Sequence, residues 1–167
     1  YAAAYKAGWN LGEEFVNMYL GHGGEFFKPG TAEPSINNAQ GVATLNMLKK
    51  LADLSNPDFL THDSEAIKVE WESGKVGVMT LWASRSGTLL DDEGDPAITA
   101  ATKLAAPATV GGGSVPAATL WWDGFTLAKN RPDADAEASF QALVHAATST
   151  EMANAASDQA VWLVDGF

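Results

Sequence analysis

Trp71-Glu72-Ser73-Gly74-Lys75-Val76-Gly77-Val78-Met79-Thr80-Leu81 is the stretch on which the fold reading turns. Up to Glu72 the spacing is helical, with Ile67 and Trp71 one turn apart, and Ser73-Gly74 supplies the stop. From Val76 to Leu81 the chain becomes a continuous apolar run of strand length, the pattern of a strand buried on both faces. This change of period across one glycine predicts a helix that hands over to a buried strand.

Upstream, Leu11, Phe15, Met18 and Tyr19 predict a helix over Trp9 to Leu20, stopped by Gly21-His22-Gly23-Gly24. Pro29-Gly30 and Pro34 mark a loop or a short hairpin. The next helix is expected to start at Asn37, with Gln40 reaching back as in a capping box. Val42, Leu45, Leu48 and Ala52 would form its buried stripe, and Lys49, Lys50 and Asp53 its wet face. Asn56-Pro57 breaks it, and a helix begins again near Thr61 or Asp63.

Downstream, residues 102–106 and 119–128 are further strand candidates, the second interrupted by Asp123-Gly124. Val110-Gly-Gly-Gly-Ser-Val-Pro116 reads as a loop between them. Ala136, Phe140, Leu143, Val144 and Ala147 make the best helical face in the chain, on a helix that starts at Asp133. A last helix is predicted from Thr148, which pairs with Glu151 as a capping box, to about Gln159. Helices alternating with short buried strands give an α/β class, five or six helices on a short mixed sheet.

Composition bounds the function. With 167 residues and 46% hydrophobic content, the chain can bury a core of its own and fits one domain by size. A formal charge of -11 with scattered Lys and Arg argues against nucleic acid and against anionic membrane surfaces. No apolar run approaches the ~20 residues that span a bilayer. The absence of cysteine excludes disulfides and thiolate metal sites. Tyr1 stands without Met, signal peptide or basic leader, and Asp165-Gly166-Phe167 reads as a turn, so both ends read as cut from a longer chain.

Enzyme signatures fail on inspection. Gly111 to Gly113 lack the Gly-Lys-Ser/Thr of a phosphate loop, and Gly112-Gly-Ser114-Val-Pro116 has proline where a nucleophile elbow needs glycine. Asp91-Asp92-Glu93-Gly94-Asp95 tempts towards calcium, but Pro96 and Thr102 stand where the loop needs glycine and glutamate. It reads as a solvated loop. His22, His62 and His145 are far apart and form no ligand pair. No catalytic group, metal set or cofactor is selected.

Six tryptophans are more informative. Trp71 shares a helical face with Ile67 and reads as core. Trp9, Trp82, Trp121, Trp122 and Trp162 sit at or beside the ends of predicted elements, next to Gly, Asn, Ser, Arg or Asp. A sugar ring has an apolar face and a fringe of hydroxyls, so its site needs aromatic plates with polar groups beside them. Filling a core is the plainer role and accounts for any one of these tryptophans equally well, but it does not account as well for all five together.

Glu72-Ser73-Gly74-Lys75-Val-Gly-Val-Met-Thr80 resembles the helix end, "GK-x-A-M" and strand of extracellular solute-binding proteins of the maltose-binding type. Gly23-Gly24-Glu25-Phe26-Phe27 is similar to the family's glycine pair and aromatic strand, and an asparagine-led helix follows in both. Gly124-Phe125-Thr126-Leu127-Ala128-Lys129-Asn130 is similar to the "G-x-x-I-x-K-N" strand. The helix over 134–147 and Ser149-Thr150-Glu151 resemble the pattern that comes next, with Thr150 in place of the usual proline and Ala138 and Ser139 near the place of a missing tryptophan.

The resemblance implies a receptor of an ABC sugar importer, periplasmic, with two α/β lobes that close on ligand in the cleft between them. Residues 1–117 would supply most of the second lobe, and residues 118–167 a crossing strand and the return into the first, an incomplete two-lobe architecture. Trp82, Ser84 and Arg85 would stack on or bond to the sugar after the strand. Trp121, Trp122 and Asp123 would reach the cleft floor. Trp9, Asn10 and Glu13 would make an early second-lobe contact. The implied partners are a sugar or polyol and the membrane permease. Two alternatives stay open: a glycosidase-like fragment using two acids, or an interaction module with no small ligand.

Overall fold

The computed structural model of the chain describes residues 1–85, 87–90, 94–121 and 123–158. Six α-helices occur among them: α1 (Trp9–Gly21), α2 (Ala39–Ala52), α3 (Ser64–Glu72), α4 (Pro96–Ala101), α5 (Asp133–Thr148) and α6 (Thr150–Asp158). Single 3-10 turns form at Phe59–Thr61, Ala83–Arg85 and Gly87–Leu89. The chain divides into two units, residues 1–81 with 91–120 and residues 82–90 with 121–167.

No strand is present among the described residues, which overturns the expected α/β class with helices packed on a short mixed sheet. Three isolated bridges are found in place of ladders, and only the Ala2–Met79 bridge touches one of the expected strands. The 76–81 run meets one neighbour, where Ala2 donates to the Val78 carbonyl at 3.0 Å and Thr80 donates to the Ala2 carbonyl at 3.1 Å. Gly77 and Val78 are exposed, so the run is not buried on both faces. At 102 the backbone N–H is already committed to the Ile98 and Thr99 carbonyls at the end of α4, and residues 103–106 are exposed. Leu120, in the third candidate, is 93% exposed. Apolar runs supply surface to bury, but a strand exists only where a second backbone lies alongside.

The segment that does behave like an interior strand is at the start. Ala2, Ala3, Ala4 and Tyr5 are all buried. Ala3 and Tyr5 pack with Met18 of α1 and Leu48 of α2, while Ala2 and Ala4 pack with Ile67 of α3 and with Val76, Met79 and Leu81. Odd residues on one side and even on the other is the alternation of an extended backbone between two apolar layers.

Local chemistry fixes the helix ends. Asn38, one residue later than expected, caps α2 by accepting from the Gly41 N–H at 2.8 Å. Asp63 caps α3 through the Ala66 N–H at 3.2 Å, and Gly74 ends the turn after it at φ +72°. Asp95 caps α4 through the Ala97 N–H at 2.8 Å, with Pro96 at the first helical position. Thr148 belongs to α5 and donates to the Val144 carbonyl, so Ser149, which accepts from the Met152 N–H, takes the place expected of it in capping α6.

Two apolar stripes differ from expectation. On α2 the buried face is Gly41, Thr44 and Leu48, whereas Val42 and Leu45 are 57% and 59% exposed. A side chain at Gly41 would strike the Ile36 carbonyl, so the chain approaches this face too closely for anything larger. On α5 no residue is buried, and Phe140 and Val144 are exposed. The hairpin expected around Pro29-Gly30 is held by a Phe27–Pro34 bridge and a Lys28–Glu33 ion pair. The glycine loop is a tight turn with positive φ at Gly111 and Gly112, closed by Gly113 donating to Val110 at 3.0 Å.

Candidate functional site

The second unit carries the aromatic pair. Trp82 leads into the Ala83–Arg85 turn, whose closing hydrogen bond runs from the Arg85 N–H to the Trp82 carbonyl at 2.9 Å. The Thr88 hydroxyl donates to the Arg85 carbonyl at 2.8 Å and extends the turn. Trp121 lies far along the sequence, yet its ring centroid is 5.4 Å from that of Trp82 with the planes at 77°. This edge-to-face contact sets the positive rim of one indole against the negative face of the other.

Such a pair forms a right-angled apolar corner. Trp82 is half-buried and Trp121 is 44% exposed, so aromatic surface remains open to solvent. Ser84, Arg85 and Asp123, all exposed, follow the two tryptophans within three residues. Between them they offer a hydroxyl, a guanidinium and a carboxylate, enough to donate to and accept from ligand hydroxyls.

Trp9, Asn10 and Glu13 belong to the first unit, on the first turns of α1. Trp9 is 63% exposed, and Glu13 buries Oε2 without a hydrogen-bond partner. Trp122 and Trp162 lie outside the described residues, as do Asp91, Asp92 and Glu93 of the acidic run. Among the described residues no group of three or more His, Asp and Glu side chains could hold a metal, and no helix is long and apolar enough to cross a membrane.

No family model, curated protein or solved structure matches this chain. Its chemistry therefore has to be read from its own residues.

The sequence reading passed over Glu14 and Asn17. They line a cavity of about 770 Å³ in the first unit, with Met18, Met47, Leu51 and Val78 among its apolar walls. Burial, then the charge of Glu13, pushes the Glu14 carboxyl up to about 7. The available signal was spacing: Glu14, Asn17 and Met18 fall three and four residues apart, on one helical face.

Proposed function

We propose that this chain is the ligand-capturing part of a periplasmic solute-binding protein, taking a sugar or polyol for the permease of an ABC importer, and that it is not an enzyme. The carrying observation is the Trp82–Trp121 contact, two indoles far apart in sequence meeting edge to face, each followed within three residues of the chain by exposed polar side chains, Ser84 and Arg85 after the first and Asp123 after the second. The apolar face of a pyranose would stack on one ring while its hydroxyls are bonded by the three polar side chains. The succession of motifs that resembles sugar-importer receptors supports the same reading.

The test is a titration of this chain, and of the intact gene product, with monosaccharides, disaccharides and polyols, followed by indole fluorescence and calorimetric heat. A ligand stacked on the pair should change the emission, and removing one plate typically forfeits on the order of 1–3 kcal/mol, one to two decades in affinity. Trp82→Ala and Asp123→Ala should therefore each weaken the best ligand tenfold or more. Binding unchanged in both variants would remove the site. An amino acid or peptide bound in place of any sugar would remove the substrate class, and turnover of a glycoside would make the chain an enzyme.

A further inference from the structure

The cavity in the first unit holds an ionisable group with no cationic side chain in its lining. Glu14 and Asn17 reach it from α1, Met47 and Leu51 from α2, and Val78 and Thr80 from the segment that pairs with Ala2. Glu14 is the only carboxylate or cationic side chain in its lining, and that carboxylate has no hydrogen bond or ion pair among the described residues. The charge that acts on it is that of Glu13 beside it, while the α-ammonium of Tyr1, another lining residue, donates to the Leu54 carbonyl at 3.1 Å. The amide oxygen of Asn17 is taken by the Thr119 hydroxyl at 2.9 Å, which leaves its N–H2 group to donate. Tyr1 and Thr80 satisfy one another at 3.0 Å. Apart from Thr109 the remaining side chains of the lining are apolar, and two of them are methionines, which repack around ligands of varied outline.

We propose that this cavity is a binding site for a small organic ammonium ion with an apolar body, its charge held by the Glu14 carboxylate. A carboxylate against apolar walls is costly to ionise, and an ammonium group within hydrogen-bond reach removes that cost while its hydrocarbon replaces water on Met18, Met47 and Leu51. About 770 Å³ is within the range of small-molecule sites. The formal charge of -11 also concentrates cations near the chain. This site belongs to the first unit and does not depend on the tryptophan pair.

The test compares 2-phenylethylamine with 2-phenylethanol, which has nearly the same shape and no charge, by calorimetry on the 167-residue chain. At pH 8, where Glu14 is ionised, the amine should bind about tenfold or more tightly than the alcohol. At pH 5.5 the amine keeps its proton while Glu14 gains one, so the advantage should fall below about threefold. Glu14→Gln should remove the advantage at both pH values while both compounds still bind. Circular dichroism would verify its fold, and Leu51→Trp, which fills the cavity, should abolish binding of both compounds. Equal binding of amine and alcohol at pH 8, binding of neither, or full amine affinity in Glu14→Gln would each overturn the proposal.

Discussion

The side-chain amide of Asn38 donates to the phenolic oxygen of Tyr19 at 2.9 Å. Tyr19 is fully buried in α1, and Asn38 is the cap of α2, so one hydrogen bond ties the end of the first helix to the start of the second. The Tyr19 hydroxyl in turn donates to the Glu25 carbonyl at 2.9 Å, which brings in the hairpin between them. Asn38→Ala removes a helix cap and a buried partner together and should cost about 2 kcal/mol in urea unfolding. Tyr19→Phe should cost about 1 kcal/mol. The double variant should fall short of the sum, because each change breaks the same bond.

The two faces of α2 predict opposite outcomes for two leucines one turn apart. Leu48 packs with Ala3, Tyr5 and Met18, and Leu48→Ala should destabilise by roughly 2–5 kcal/mol. Leu45 is mostly in solvent, and Leu45→Ala should stay within about 0.5 kcal/mol. Equal losses would restore the stripe that hydrophobic spacing alone suggests.

Asp63 should govern part of the acid limb of stability. Its side chain caps α3 and pairs with Lys6 at 2.9 Å, and the Lys6 bond, then the Ala66 N–H, hold its carboxyl below the usual aspartate range. The folded form therefore keeps Asp63 ionised where the unfolded chain takes up a proton. That contribution is complete above the ordinary aspartate range and disappears as the pH falls through the lowered value. Asp63→Asn should flatten thermal stability in that acid window and change little in its shape above it.

Glu14 acts in the opposite sense. Folded, it keeps its proton up to about pH 7; unfolded, it releases it near 4.5, so the folded form binds more protons in between. Its contribution is present below about 4.5 and is lost as the pH rises through about 7. Glu14→Gln keeps the shape without the charge, and its melting temperature at pH 8 should exceed the parent's by roughly 3–6 °C. The two proteins should converge at pH 4.5.

How much of this was legible depended on whether the signal was local. Asp63 and Gly74 announce the ends of α3 because caps and stops act over three or four residues. Asp95-Pro96 carried an equally local signal for α4, a cap with proline at the first helical position, which the acidic run before it obscured. The sheet was not legible, because pairing at 76–81 depends on a backbone some 75 residues away that approaches only at Ala2. The buried side of α2 was misread because a close approach selects Gly41 and Thr44, which no hydrophobic pattern marks. Tyr1-Ala-Ala-Ala-Tyr5 is apolar throughout, but small side chains hid how central it is. At the candidate site, tryptophans beside polar residues were visible in sequence, whereas the Trp82–Trp121 contact is a product of folding.

The insertion of residues 2–5 between two apolar layers sets the order in which the chain can mature during synthesis. These residues leave the ribosome before α1, yet the backbone that accepts and donates to Ala2 comes at Val78 and Thr80. At about 5–20 residues per second, the segment waits several seconds or more without its partner. Closing a loop of that length carries an entropic cost before the contact rewards it, so the step should be late and slow compared with the formation of α1 and α2. Until then, four apolar residues destined for the interior stand in water, and that interval is when a nascent chain of this sequence is open to capture by chaperones.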